Sequence, residues 1–215
     1  MAEKIVMRAV TSDNKKHADR VRAILDSKKV VGLNLISSPG AGKTALLEKT
    51  IIDNPELRFG VIEGDVYTTR DADRIEKAGA PSIQLNTEGA CHLTAEMIEA
   101  VIPKFDLDKL DFLVVENIGN LICPSSFSLG MHHRVVLLST PEGADKILKY
   151  PLAFHTADVI LITKTDIASA VNFDMSIVMD DLKAVNPKVA PWQLSVVSGD
   201  GLDRWYGWLK SIRQK

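Results

Sequence analysis

The stretch "LISSPGAGKTALLEK", Leu35 to Lys49, sets glycines, a lysine and a threonine at the spacing of a loop that cradles phosphate. Backbone N–H groups of Pro39-Gly40-Ala41-Gly42 and of the residues that follow, Lys43, Thr44 and Ala45, are placed to surround a β-phosphate, apart from proline, which has no N–H to give. Lys43 reaches the β- and γ-phosphates, and the Thr44 hydroxyl is a ligand for Mg²⁺. Ser37 stands where the usual pattern has its first glycine; a glycine there eases the turn but takes no part in the chemistry.

Two further segments bear on the base. In "DVILITKTD" the Asp166 carboxylate can accept from guanine N1–H and from the exocyclic amine, whereas adenine offers the wrong pattern. The Lys164 stem can lie along the base, and Thr163 keeps a hydroxyl where guanine-binding proteins usually have asparagine. In "QLSVVSGDGLDRW", Ser195, Val196 and Val197 supply backbone contacts and an apolar edge. The expected nucleotide is GTP or GDP.

"VVENIGN" supplies Glu116 for the Mg²⁺ water shell and the Gly119 N–H for the γ-phosphate. The next residue is Asn120 and not a water-orienting glutamine, so slow hydrolysis is expected. Asp65 and Asp71 in "EGDVYTTRDADR" are further Mg²⁺-side candidates, with helix capping and plain solvation as their alternative roles. Cys91 and His92 in "NTEGACHL", with Cys123 in "ENIGNLICP", are two thiolates and an imidazole, a donor set for a transition metal such as Ni²⁺ or Zn²⁺. Cysteine is also a common small core residue, and only the placement of both cysteines beyond strand ends favours the metal. His132 and His133 precede a strand and read as surface residues.

These residues need a scaffold that brings several loops to one edge. Short apolar runs, "VGLNLIS", "FGVIEGD", "SIQLN", "FLVVEN", "VVLLST", "DVILITK" and "PWQLSVVS", alternate with helical patterns at 43–52, 71–78, 94–104, 174–185 and 202–212. Continuous Val/Ile/Leu runs are strands buried on both faces, and the alternation predicts a doubly wound, mainly parallel α/β sheet of the P-loop type. Ligands then sit beyond the carboxyl ends of the strands, where every candidate above falls. Ahead of the sheet, "SDNKKHADRVRAILDSKK" predicts an accessory helix capped by Ser12, with Ala18, Val21 and Leu25 as its apolar stripe.

The 215 residues are expected to form one domain, with residues 1–30 as the accessory helix. A net charge of −2 gives no reason to expect nucleic acid or an anionic membrane. No signal peptide and no apolar run of roughly 18–20 residues is present, and two cysteines are no disulfide framework, so a cytoplasmic location is expected.

Taken together, "SSPGAGKT", "GDVYTTRDADRI", "EGACHL", "ENIGNLICP", "LKYP" and "TKTD" resemble the HypB family, GTPases that assist nickel insertion into nickel–iron hydrogenase. The likeness runs from about Val30 to the C-terminus; the related urease GTPase UreG carries Cys-Pro-His instead of the CHL and NLICP pair. The resemblance implies a homodimer formed around nucleotide and metal, with Cys91, His92 and Cys123 near its interface and Lys149 of "LKYP" contacting the partner's nucleotide. It implies as partners the hydrogenase maturation proteins and the hydrogenase large subunit. Two departures stand out: the N-terminal Cys- or His-rich nickel motif of many members is missing from MAEKIVMRAV, and Glu88-Gly89-Ala90 replaces Gly-x-Gly before Cys-His. Two alternatives remain open at this level: a GTPase serving urease or a cobalamin enzyme, and a small-molecule kinase using the same phosphate loop.

Overall fold

The computed structural model of the chain describes residues 2–65, 70–86 and 91–215; the side chains of residues 2–12, Asp65 and Arg70 lie outside that description, as does the Glu88-Gly89-Ala90 segment. Seven strands form one sheet in the order β3-β2-β4-β1-β5-β6-β7, every pair parallel. They are β1 (Val31–Ser37), β2 (Phe59–Asp65), β3 (Ser82–Asn86), β4 (Phe112–Glu116), β5 (His133–Ser139), β6 (Val159–Thr163) and β7 (Trp192–Gln193). Helices α1 (Ala2–Lys28), α2 (Lys43–Asp53), α3 (Arg70–Ala78), α4 (Ala95–Val101), α5 (Cys123–Ser126), α6 (Lys146–Lys149), α7 (Pro151–His155), α8 (Met175–Val185) and α9 (Leu202–Ile212) are the connections.

Strand side chains alternate between two faces, and both are dry. Leu33, Leu35, Val114 and Leu137 pack with Leu46 and Ile51 of α2, Ile75 of α3 and Trp205 of α9. On the other face, Leu113 and Val115 meet Val21 and Leu25 of α1 and Ile98 of α4, while Val136 and Ile160 meet Phe154 of α7 and Val178 of α8. The doubly wound parallel sheet expected from the sequence is therefore the fold. No helix among the described residues is long and apolar enough to cross a membrane.

Three local readings are corrected. Helix α1 begins at Ala2, so Ser12 lies within it and is not its cap. The last strand is only Trp192–Gln193, because the chain turns at once: Ser195 N–H donates to Asp200 O (2.9 Å), and Gly201 has φ +72° with no space for a Cβ beside Gln193 O. His132 and His133 are structural and not free surface groups. His132 accepts from Gly32 N–H (2.8 Å) and pairs with Asp26 (2.9 Å), and His133 opens β5 with its ring edge-on to Trp208.

Candidate nucleotide and metal sites

Strand β1 is central, between β4 and β5, and its carboxyl end delivers the chain to the phosphate loop. Gly40 (φ +74°) and Gly42 (φ +98°) take left-handed conformations that other residues reach only with strain, which turns the backbone into the start of α2. A cleft of about 590 Å³ opens there, lined by Pro39, Gly40, Gly42, Lys43, Thr44 and Ala45 with Asp71, Glu116, Gly119 and Lys164. Ala41 is fully buried beneath it. A larger cavity of about 700 Å³ lies at the opposite end of the sheet, around Ile52, Phe59 and Phe105, away from all these groups.

Inside the cleft the charged groups are already organised. Lys43 Nζ donates to Ser37 Oγ (3.0 Å) and lies 4.0 Å from Glu116 Oε1; Thr44 Oγ1 donates to the same Glu116 oxygen (2.8 Å). Ser37 thus gives the lysine a hydroxyl partner that the usual glycine could not. Glu116 Oε2 is buried and, among the described residues, meets no donor other than a proton on neighbouring Glu63. A hydroxyl and a carboxylate oxygen facing one cleft are hard oxygen donors, the set that suits Mg²⁺.

Glu63 was not singled out from the sequence. It sits opposite Glu116 in the β2–β4 register and is just 2% exposed. Burial, and then the nearby Glu116 and Asp71, push its carboxyl up to about 10, so Glu63 is neutral at pH 7. Glu116 is also pushed upward by burial, but Lys43 and Thr44 pull against that and favour its charged form. Asp71 lines the cleft and pairs with Arg74 at 3.5 Å, while the Asp65 side chain lies outside the described residues.

The base-side residues reach back to the phosphate loop. Thr163 Oγ1 donates to Ala41 O (2.7 Å) and Lys164 Nζ to Gly40 O (2.8 Å), so threonine supplies a tether to the loop even without an amide. Lys164 adopts φ +58°, and its carbonyl accepts from Thr140 Oγ1 (2.7 Å). Asp166 follows on an exposed turn, Thr165–Ile167. Ser195 is buried, and its Oγ accepts from the N–H groups of Val197 (3.2 Å) and Ser198 (3.1 Å); Val196 is half-buried and Val197 exposed. Lys149 lies outside the cleft, exposed at the end of α6 and paired with Asp145.

Gly119 is pressed against the phosphate loop: a Cβ there would stand 2.8 Å from Pro39 Cα and 2.9 Å from its N. Only glycine permits that approach. Asn120 then links onward, its Nδ2 donating to Cys91 O (3.4 Å) and its Oδ1 accepting from Ile122 N–H (2.8 Å). The next residue is Cys123. Ligand atoms of Cys91, His92 and Cys123 all lie within 4.8 Å of one another, the one such group of three or more metal-ligating side chains among the described residues. His92 stacks on Phe127 (centroids 4.3 Å apart, 10° between planes), and burial lowers its pKa, which favours the neutral imidazole a metal needs. Hydrogen bonding to Cys123 raises the Cys91 thiol. The structure therefore brings the three metal candidates together and sets them a few residues from the phosphate-side loop.

Fold and cleft define the class: a nucleotide-binding protein with the P-loop GTPase fold. Residues 32–192 match the family model described as CobW/HypB/UreG, nucleotide-binding domain. The chain belongs to this family and, within it, to the HypB hydrogenase maturation factors. It is 43% identical over 205 residues to hydrogenase maturation factor HypB of Escherichia coli strain K12, covering 95% of this chain and 71% of that protein. To the hydrogenase/urease maturation factor HypB of Helicobacter pylori strain 26695 it is 43% identical over 196 residues, 89% of this chain and 80% of the relative. Among solved structures, HypB from Helicobacter pylori in complex with nickel superposes with a TM-score of 0.88 at 38% identity, covering 94% of this chain and 98% of that one. This membership closes the small-molecule kinase alternative.

Proposed function

We propose that this protein is a GTP-binding, slowly hydrolysing nickel carrier that loads nickel–iron hydrogenase during its maturation, and that its chain acts as one GTPase domain in the cytoplasm. The observation that carries the reading is the short path from Gly119, against the phosphate loop, through Asn120 to Cys91 and Cys123. In this reading the N–H groups from Gly40 to Ala45 hold the phosphates, Lys43 leaves Ser37 for a phosphate oxygen, and Gly119 N–H meets the γ-phosphate. Thr44 and Glu116, together with Asp65 and Asp71, would hold Mg²⁺, which when bound draws charge from the phosphate oxygens. Thr163, Lys164 and Asp166 with Ser195, Val196 and Val197 recognise guanine.

Slow turnover fits the engagement of Asn120. One end of its amide is bonded to its own loop at Ile122 N–H and the other to Cys91 O, so it is not free to orient an attacking water. The cargo is nickel, with zinc as a competitor for the same two thiolates and imidazole. Three ligands leave a four-coordinate ion one short; water, or a group from a second copy of the chain, completes it. Homodimerisation around nucleotide and metal, with Lys149 reaching the partner's nucleotide, belongs to the same reading. The name of the Helicobacter pylori relative favours urease as a second recipient.

The test is a calorimetric nickel titration with GDP and with a non-hydrolysable GTP analogue. Nickel affinity is expected to differ about 5–150-fold between them, and nickel should shift nucleotide preference by the same factor. Cys123→Ser should remove most of this difference and leave guanine binding nearly intact. Equal nickel affinity in both nucleotide states would end the carrier mechanism.

A further inference from the structure

We infer that Asn14 is a positioning residue for the metal site, its side-chain amide fastening together the two segments that carry the ligands. The inference rests on the reading of Cys91, His92 and Cys123 as that site. Asn14 Oδ1 accepts from Ala95 N–H (2.9 Å), and its Nδ2 donates to Ser128 O (2.9 Å). Ala95 opens α4, just past His92; Ser128 follows Phe127, on which His92 stacks, and α5, which begins at Cys123. One amide therefore spans the Cys91–His92 side and the Cys123 side. Asn14 and His92 also line the same small cavity, of about 310 Å³.

A bridge positions other groups only if its own footing is firm, and α1 is firmly seated. Arg20 grips Glu99 of α4 with two bonds (2.7 and 3.0 Å), and His17 bonds the same carboxylate (2.5 Å). Further along, Arg22 donates to the carbonyls of Gly130 and Met131, and Asp26 pairs with His132. Gly130 (φ +79°) lies so close to the helix that a Cβ would stand 2.4 Å from Ala18 O. The α1 helix is thus a bar lying across both ligand-bearing segments, with Asn14 at the point where they meet.

The chemistry of the bridge requires an amide. One end must accept from an N–H and the other must donate to a carbonyl, which asparagine does and aspartate cannot. Asn14→Asp keeps the acceptor for Ala95 and adds a favourable negative charge at the α4 N-terminus, but faces Ser128 O with a second acceptor. The two variants therefore separate bridging from anchoring α4. Groups that orient metal ligands from behind typically contribute 10–100-fold to affinity.

Nickel chloride is titrated by dye competition into wild type, Asn14→Ala, Asn14→Asp and Cys123→Ser, with thermal midpoint and GDP affinity measured on each. Both Asn14 variants are expected to bind nickel about tenfold more weakly, with GDP affinity unchanged within about twofold. Asn14→Asp should also melt close to wild type, and it decides the matter alone if Asn14→Ala does not fold. Wild-type nickel affinity in Asn14→Asp overturns the bridge. If Cys123→Ser binds nickel as well as wild type does, the site reading itself falls; if it loses nickel while the Asn14 variants keep it, only the positioning role falls.

Discussion

Replacing Gly119 with alanine tests the link between the two sites at its narrowest point. Gly119 does not occupy the left-handed region, so alanine adopts its backbone conformation without strain, and the perturbation is steric alone. The added Cβ meets Pro39 Cα at 2.8 Å and Pro39 N at 2.9 Å, both backbone atoms that cannot rotate away. Restoring an ordinary 3.4 Å contact moves the loop by about 0.6 Å. Pro39 lies two residues past the end of the buried central strand, so the loop from Ile118 to Ile122 takes up the shift. That is about three times the roughly 0.2 Å tolerance of metal–ligand distances. Carried through Asn120 to Cys91 and Cys123, it should weaken nickel binding about tenfold, or about 1.4 kcal/mol. Affinity for the GTP analogue should fall more than that for GDP, because in the proposed reading the displaced N–H meets the γ-phosphate. Calorimetric titration of nickel and of each nucleotide reads both effects. Gly207→Ala is the control, since a Cβ there meets nothing within 4 Å. If Gly119→Ala weakens the GTP analogue but binds nickel as wild type does, the loop absorbs the shift before Asn120 and the sites are not linked this way.

The other predictions address the base, the dimer and the buried acid. Asp166→Asn should lose roughly 2–4 kcal/mol of GTP binding and gain affinity for xanthosine triphosphate, because charge-assisted bonds vanish and a donor faces donors; a competition assay in which wild type prefers ATP would refute the guanine assignment. Lys149→Ala should weaken dimerisation driven by a GTP analogue without altering the monomer's thermal midpoint, and unchanged sedimentation would remove the trans contact. Glu63 has a folded pKa raised to about 10, so the folded state holds a proton that the unfolded chain releases near its ordinary value of about 4.3. Its stabilising effect is full below that lower value and is lost as pH rises towards about 10, by up to about 1.4 kcal/mol per unit. Urea unfolding of nucleotide-free protein at pH 6 and pH 8 should show this loss in wild type and not in Glu63→Gln; parallel behaviour of the two would mean that Glu63 is ionised.

Much of the scaffold is legible in the sequence because strands buried on both faces leave an unbroken apolar signature, as "VGLNLIS" and "VILIT" do. The phosphate loop is legible because its glycines and GKT lie at fixed spacing. What stays hidden depends on contacts between distant segments. Glu63 reads as the polar end of a strand until the β2–β4 register sets it beside Glu116. Asn120 reads only as the lack of a glutamine, although its two bonds tie the phosphate-side loop to both cysteine segments. Asn14 looks like one more polar residue on a helix, since nothing local signals that Ala95 N–H and Ser128 O converge on it. The metal group was legible as residue types, whereas the 4.8 Å convergence is a product of the fold.

That convergence also has an oxidative side. Cys91 is exposed, Cys123 is partly so, both are free thiols, and their sulfurs lie within 4.8 Å of each other. An oxidant such as dissolved oxygen or peroxide can take two electrons and two protons from such a pair and join the sulfurs, which removes both thiolates from use as ligands. A bound metal ion occupies the same sulfur lone pairs and shields them. On the proposed metal-site reading, metal loading and thiol oxidation compete for one pair of atoms, and the free-thiol content of a preparation would set the upper limit on the nickel bound there.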